Sequence, residues 1–293
     1  DPPRSRHRLA FGGTALLLEG HGPRSTRLLE WLFGHLTEPA DAADPTAGGV
    51  RPAADYLLRD APGSGSLCLY RGRELLRLGD SDAHTAGVLL SLTCHDLAER
   101  ARDGIAIHAA AVALAGRGLL LPGSPEAGKT TLAAWLASRG FDYLTDELAF
   151  VPDGTALVLG LVRPLNVRPA SRFAWQAAAP TTSGLVLEGN DFDLVHPSLL
   201  GRSPLEPVPL SGVILPQHDP CQPSALRAIG RAEAAFLLLG CVTNGAGLPD
   251  HGLGALYDIL LGFQILLLFD ALDDPLPNLE GQVPKQLFSR QRP

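Results

Sequence analysis

The sequence predicts an α/β fold: an alternating strand–helix core preceded by a small mixed α/β N-terminal domain. Three observations predict it. Across residues 105–144, apolar runs of strand length alternate with one helical run, in the order strand, turn, strand, glycine-rich loop, helix, strand. The character of the chain changes at the turn Asp103-Gly104, which divides it into residues 1–102 and 103–293. A chain of 293 residues, 45% hydrophobic and 19% charged, has the composition of a globular protein and the length for two modest cores.

In the N-terminal part, residues 9–19 and 66–78 read as strands with turns, separated by a stretch rich in Pro, Gly and Ala at 39–65. Residues 80–102 have helical spacing, with Val88, Leu89, Leu92 and Leu97 recurring at three- to five-residue steps and Asp80 or Ser81 as the cap. A strand from Ile105, a turn at 115–118 and a second strand at 119–121 then lead into the loop. The helix after it, residues 129–139, carries Leu132, Trp135 and Leu136 on one face and stops at Gly140. Residues 141–144 form a short strand that ends in Thr145-Asp146-Glu147. Further on, 231–241 and 249–261 read as helices and 265–269 as a buried strand, whereas the proline-rich segment 152–223 shows no readable pattern.

Composition excludes several function classes. A net charge of -7 with no basic stripe argues against a nucleic-acid binder. Cys68, Cys94, Cys221 and Cys241 are scattered and form no CxxC pair, so the expectation is free thiols in a reducing, cytoplasmic setting rather than zinc or disulfides. No signal peptide opens the chain, and its most apolar stretch, 255–269, is interrupted by Asp258, Gly262 and Gln264, so no membrane association is expected. The sequence contains no methionine and begins at Asp1, which suggests a processed or partial polypeptide.

The loop Gly123-Ser124-Pro125-Glu126-Ala127-Gly128-Lys129-Thr130 fits the phosphate-binding pattern G-x-x-x-x-G-K-[ST] in full, directly after an apolar strand and at the start of a helix. Glycines let the backbone amides turn inward around phosphates, and the helix N-terminus adds partial positive charge. Lys129 supplies a mobile cation, and there are only two lysines in the chain. The Thr130 hydroxyl suits Mg²⁺. Gly123, Ser124, Ala127, Gly128, Lys129, Thr130 and Thr131 are therefore the candidate nucleotide contacts, with Pro125 and Glu126 facing outward.

Phosphoryl transfer needs an acceptor activated and a metal held, and Asp146 and Glu147 end the strand after the loop's helix, where such folds place ligands. Either carboxylate can take a proton while the other serves Mg²⁺. Arg163 and Arg168 are candidates for clamping the phosphoryl group or a phosphorylated product, because guanidinium matches phosphate oxygens in pairs. His196, His218 and His251 have no metal-ligand spacing and read as incidental.

The segments Ile107-His108-Ala109-Ala110-Ala111-Val112, 118–132 and Arg139-Gly140 through Asp146-Glu147 resemble the core of HPr kinase/phosphorylase and its relatives, which share a nucleotide-binding core with phosphoenolpyruvate carboxykinases. The resemblance is close over 105–150 and looser at 210–215 and 224–227. It implies a P-loop kinase core working with Mg²⁺ and ATP (or GTP), and a serine hydroxyl on a protein or peptide as acceptor, including precursors of ribosomally made peptides. It implies Asp146 as the general base, Glu147 holding Mg²⁺ with Thr130, and His108 orienting the acid or the terminal phosphate, with Asp146, His108 and Lys129 as the catalytic set. It leaves room for a homo-oligomer. The separateness of residues 1–102, not the resemblance, makes them a candidate module for recognising the acceptor. The chain departs from the family in carrying Glu147 for aspartate and Glu126 for glycine, and in lacking the segment that engages HPr. A small-molecule kinase or carboxykinase-like enzyme and a non-catalytic nucleotide sensor are the alternatives.

Overall fold

The computed structural model describes residues 2–37, 53–172, 184–218 and 225–270; Cys221 and Ser224 lie outside them. The fold is mixed α/β. Strands β1 (Arg4–Phe11), β2 (Thr14–His21), β3 (Tyr56–Asp60), β4 (Leu67–Arg71) and β5 (Glu74–Gly79) form one sheet in chain order. Only the β2–β3 pairing is parallel, because helix α1 (Pro23–Phe33) lies in that connection. Helix α2 (Asp82–Arg100) follows, and Ser81 caps it by accepting from the His84 amide. Sequence reading missed α1, whose apolar face is short, and β3, which sits inside the stretch taken for a separator.

The second sheet has the order β10-β9-β6-β7-β14-β16-β15, with β8 also paired to β6 and β10 also paired antiparallel to β14, which closes one end of the sheet on itself. Its strands are β6 (Gly104–Leu114), β7 (Arg117–Pro122), β8 (Asp142–Thr145), β9 (Leu148–Pro152), β10 (Leu157–Gly160), β14 (Val208–His218), β15 (Ala225–Ala228) and β16 (Gln264–Asp270). The β7–β14 and β14–β16 pairings are parallel. Helix α3 (Lys129–Ala137) leaves β7 towards β8, whereas β14 takes the other side of β7. The C-terminal end of β7 is thus the point where the strand order reverses, the position at which open α/β sheets receive ligands. Helices α4 (Arg231–Leu239) and α5 (Leu253–Gly262) pack on each other on the far side.

A third, small sheet, β11 (Leu165–Val167), β13 (Asp193–Val195) and β12 (Val186–Glu188), comes from the segment in which no pattern was readable. It explains a departure in α3. The sequence predicts one apolar face, yet eight of the helix's nine residues are buried, Lys129 among them. Val162, Leu165, Val167 and Val195 cover one side while the large sheet covers the other, in one cluster with Leu132, Trp135 and Leu136. The N-terminal sheet is no isolated body either. Its core is completed by Ala106, Leu148, Phe150, Leu161 and Leu194. Among the described residues Cys68, Cys94 and Cys241 are free thiols, and no helix is long and apolar enough to cross a membrane.

Candidate functional site

The glycine loop joins β7 to α3. Gly128 caps the helix in the left-handed region (φ 94°) and, as a glycine, offers no side chain to the first helical amides. Glu126 is also left-handed, at φ 67°. A side chain there costs about 1–2 kcal/mol, which is a physical reason for a glycine at this position. The Glu126 carboxylate meets Arg168 Nη2 at 2.7 Å, both side chains being well exposed, and Pro125 and Glu126 line the cleft beside Lys129 instead of facing away from it as expected. Lys129 Nζ donates to the Gly123 and Ser124 carbonyls at 2.8 and 2.9 Å. Burial lowers its proton affinity, while Glu147, Cys241 and Asp146 act to raise it.

Asp146 and Glu147 occupy a break in the sheet. β8 pairs with the 111–113 end of β6 and β9 with its 104–108 end, along the same edge, so the chain must step from one ladder to the next between Thr145 and Leu148. The step turns two consecutive carboxylates towards the loop, which regular alternation along a strand would forbid. Asp146 Oδ2 accepts from the Thr130 hydroxyl at 3.3 Å and the Asn166 amide at 3.4 Å. Asp146 Oδ1 lies 3.2 Å from the Tyr143 phenol and 3.3 Å from Arg163 Nε. Glu147 Oε1 lies 3.1 Å from His108 Nδ1. Burial pushes the Asp146 carboxyl up, with Arg163 opposing. Burial would raise Glu147 too, but the His108 hydrogen bond, Arg163 and Lys129 hold it down at about 2.

These groups line one cleft of about 610 Å³. Its walls include Lys129, Thr130, Asp146, Glu147, His108 and Arg168. Arg163 sits at the cleft's base rather than free within it. Only 4% exposed, it is committed to Asp146 and, through Nη1 at 3.4 Å, to Cys94 Sγ. Arg168 remains placed to reach a ligand. Thr131 is turned to Ser171 Oγ at 3.0 Å. A second cavity of about 560 Å³ lies across the loop against Gly123, Ser124, Ala127 and α4, and it shares Pro125, Glu126 and His218 with the first.

Sequence reasoning missed Tyr143, Ser91 of α2 and Ser171, all at this site. The tyrosine alternates as an ordinary buried strand residue, and only the step after β8 brings its phenol to Asp146. His218, read as incidental, lines both cavities, and His196 packs against Trp31 and His35 at the seam with α1.

The donor set suits Mg²⁺. A hydroxyl and a carboxylate oxygen are hard ligands, and this cation is ordinarily held by one or two carboxylates plus substrate phosphates. The described residues contain no cluster of three or more His, Cys, Asp or Glu that could hold a metal ion. No family model matches the sequence, and no curated protein is similar to it.

Proposed function

We propose that the chain is a nucleotide-dependent phosphotransferase with a P-loop kinase core, moving a phosphoryl group from ATP or GTP to a serine hydroxyl of a protein or peptide. The observation that supports this most is the convergence of Lys129, Thr130 and the Asp146–Glu147 pair on one cleft at the strand-order reversal. Lys129 and the uncapped amides of α3 suit terminal phosphates. Mg²⁺ bound with the nucleotide would neutralise charge on the transferring group. Arg168, released from Glu126, is the cation best placed to meet that group. Ser91 brings the N-terminal part into the wall of the same cleft, which supports a role for residues 1–102 in receiving the acceptor.

The geometry favours exchanging the two carboxylate roles that the family resemblance implies. Asp146, not Glu147, touches Thr130, so Asp146 and Thr130 form the magnesium side. Glu147 is the more accessible carboxylate, 36% exposed against 1%, and His108 orients it, so it takes the proton from the acceptor hydroxyl. Proton affinity points the other way, since Asp146 is raised and Glu147 lowered. A cation beside Asp146 offsets the burial that raises it, and phosphates on Lys129 remove part of what depresses Glu147.

The test is transfer of labelled γ-phosphate to candidate proteins and peptides by the parent, Asp146→Asn and Glu147→Gln. The reading expects phosphoserine from the parent, strongly slowed transfer by Glu147→Gln with Mg²⁺-nucleotide binding retained, and loss of Mg²⁺-dependent binding in Asp146→Asn. A phosphorylated metabolite as the product would replace the acceptor class. Nucleotide binding without transfer to any acceptor would make the protein a sensor and overturn the enzyme.

A further inference from the structure

Behind the cleft lies a group that the proposed chemistry leaves unused. Tyr143 is fully buried on β8, in the cluster formed by α3 and the two sheets, and its hydroxyl is 3.2 Å from Asp146 Oδ1 and 2.9 Å from the Arg163 carbonyl. A phenol so buried must find an acceptor, and its single O–H is shared between these two, the shorter arm going to the Arg163 carbonyl. Arg163 Nε lies 3.3 Å from the same carboxylate oxygen as an ion pair while its N–H donates to the Pro164 carbonyl, and its Nη1 is held by Cys94. The two oxygens of Asp146 are thereby divided. Oδ1 faces the protein interior, whereas Oδ2 accepts from the Asn166 backbone amide at 3.4 Å and meets the Thr130 hydroxyl at 3.3 Å on the wall of the cleft.

We infer that Tyr143 is a positioning residue: with Arg163 it clamps the inner oxygen of Asp146 so that the outer oxygen stands beside the Thr130 hydroxyl as a preformed half-site for the nucleotide's magnesium. The inference rests on the phosphotransferase reading and on Asp146 being its magnesium-side carboxylate. Carboxylates that bind metals are commonly held by such partners, and losing one costs roughly 10- to 100-fold in metal affinity. A phenol that merely filled the core would matter equally with and without the cation.

The experiment compares parent and Tyr143→Phe by calorimetry, titrating ATP or GTP in the presence of Mg²⁺ and again with excess EDTA. We expect the variant to match the parent in EDTA within about twofold and to lose roughly 10- to 100-fold of the gain that Mg²⁺ confers. An unchanged magnesium gain overturns the inference while leaving the nucleotide reading intact. Equal weakening in both conditions also overturns it, because that is the behaviour of a packing residue. Should the parent bind neither nucleotide, the reading beneath it falls as well. If Tyr143→Phe does not fold, Arg163→Lys, which keeps the charge but withdraws Nε from Oδ1, is read in the same way.

Discussion

Two buried aspartates in this molecule are furnished almost alike and face different surroundings. Asp96, on α2, accepts from the Tyr56 phenol at 3.0 Å and is met by the guanidinium groups of Arg71 and Arg100. Asp146 has Tyr143 and Arg163. At Asp96 both arginines are nearly half exposed, and the set closes on itself as a staple between α2 and the N-terminal sheet. At Asp146 the arginine is buried, and the second oxygen is turned to a hydroxyl at the start of a helix, on the wall of a cleft. A buried Asp–Tyr–Arg set is therefore no signature of a site. What separates the two is the free side: for Asp96 more protein, for Asp146 a lysine, a threonine and open volume.

The comparison breaks first at the cleft. Glu147→Gln is expected to lower kcat by about 10²- to 10⁴-fold, the usual worth of a general base, while the thermal transition stays near the parent's. Phosphoryl-transfer rates beside a melting curve check this, and a variant as fast as the parent removes Glu147 from the chemistry. Asp96→Ala should show the reverse pattern. Leaving the Tyr56 hydroxyl unpaired in the core costs about 1–3 kcal/mol of stability, read by denaturant titration, with transfer by the folded fraction unchanged.

Acid sensitivity between pH 6.5 and 4 should belong to neither aspartate but to histidines that burial holds down, His7 in the first sheet and, most strongly, His196 at the seam between α1 and the small sheet. Burial, and then His35 beside it, hold His196 down at about 4, below its ordinary 6.5. The unfolded chain therefore takes up this proton at higher pH than the folded one. The sign follows: the contribution is whole above pH 6.5 and is lost as pH falls towards 4. Melting temperatures across that range should fall less steeply in His196→Gln than in the parent, and equal slopes would place the sensitivity elsewhere. Smallest is the effect of Glu126. Removing its charge by Glu126→Gln should tighten nucleotide binding by about fivefold or less at low salt, and the gain should vanish near 1 M salt. An unchanged or salt-independent affinity would mean that this carboxylate does not reach the phosphates.

The sequence made legible whatever is local. The loop at 123–130 sits between a strand and a helix as its pattern requires, α2 begins at a serine cap, and Gly140 ends the α3 turn at φ 89°. The acidic pair is legible from its place at the end of the strand after the loop's helix, whereas His108 by its local sequence reads as a core histidine, and all three line the loop's cleft. The rest depends on contacts distant in sequence. The strand step that aims both Asp146 and Glu147 inward is set by how β8 and β9 divide one edge of β6. The burial of Arg163 depends on Cys94, from a helix 69 residues earlier in the chain. The small sheet over α3 is made of three-residue strands, too short to leave a period in the sequence.

The account stands most directly on nucleotide binding by the loop. Calorimetry with Mg²⁺ and ATP or GTP should register association with the parent protein. Lys129→Met keeps the aliphatic stem but removes the charge, and it should weaken that binding roughly 10- to 100-fold, the worth of a hydrogen bond to a charged group. No heat from the parent with either nucleotide, or an affinity indifferent to the loss of Lys129, would contradict it.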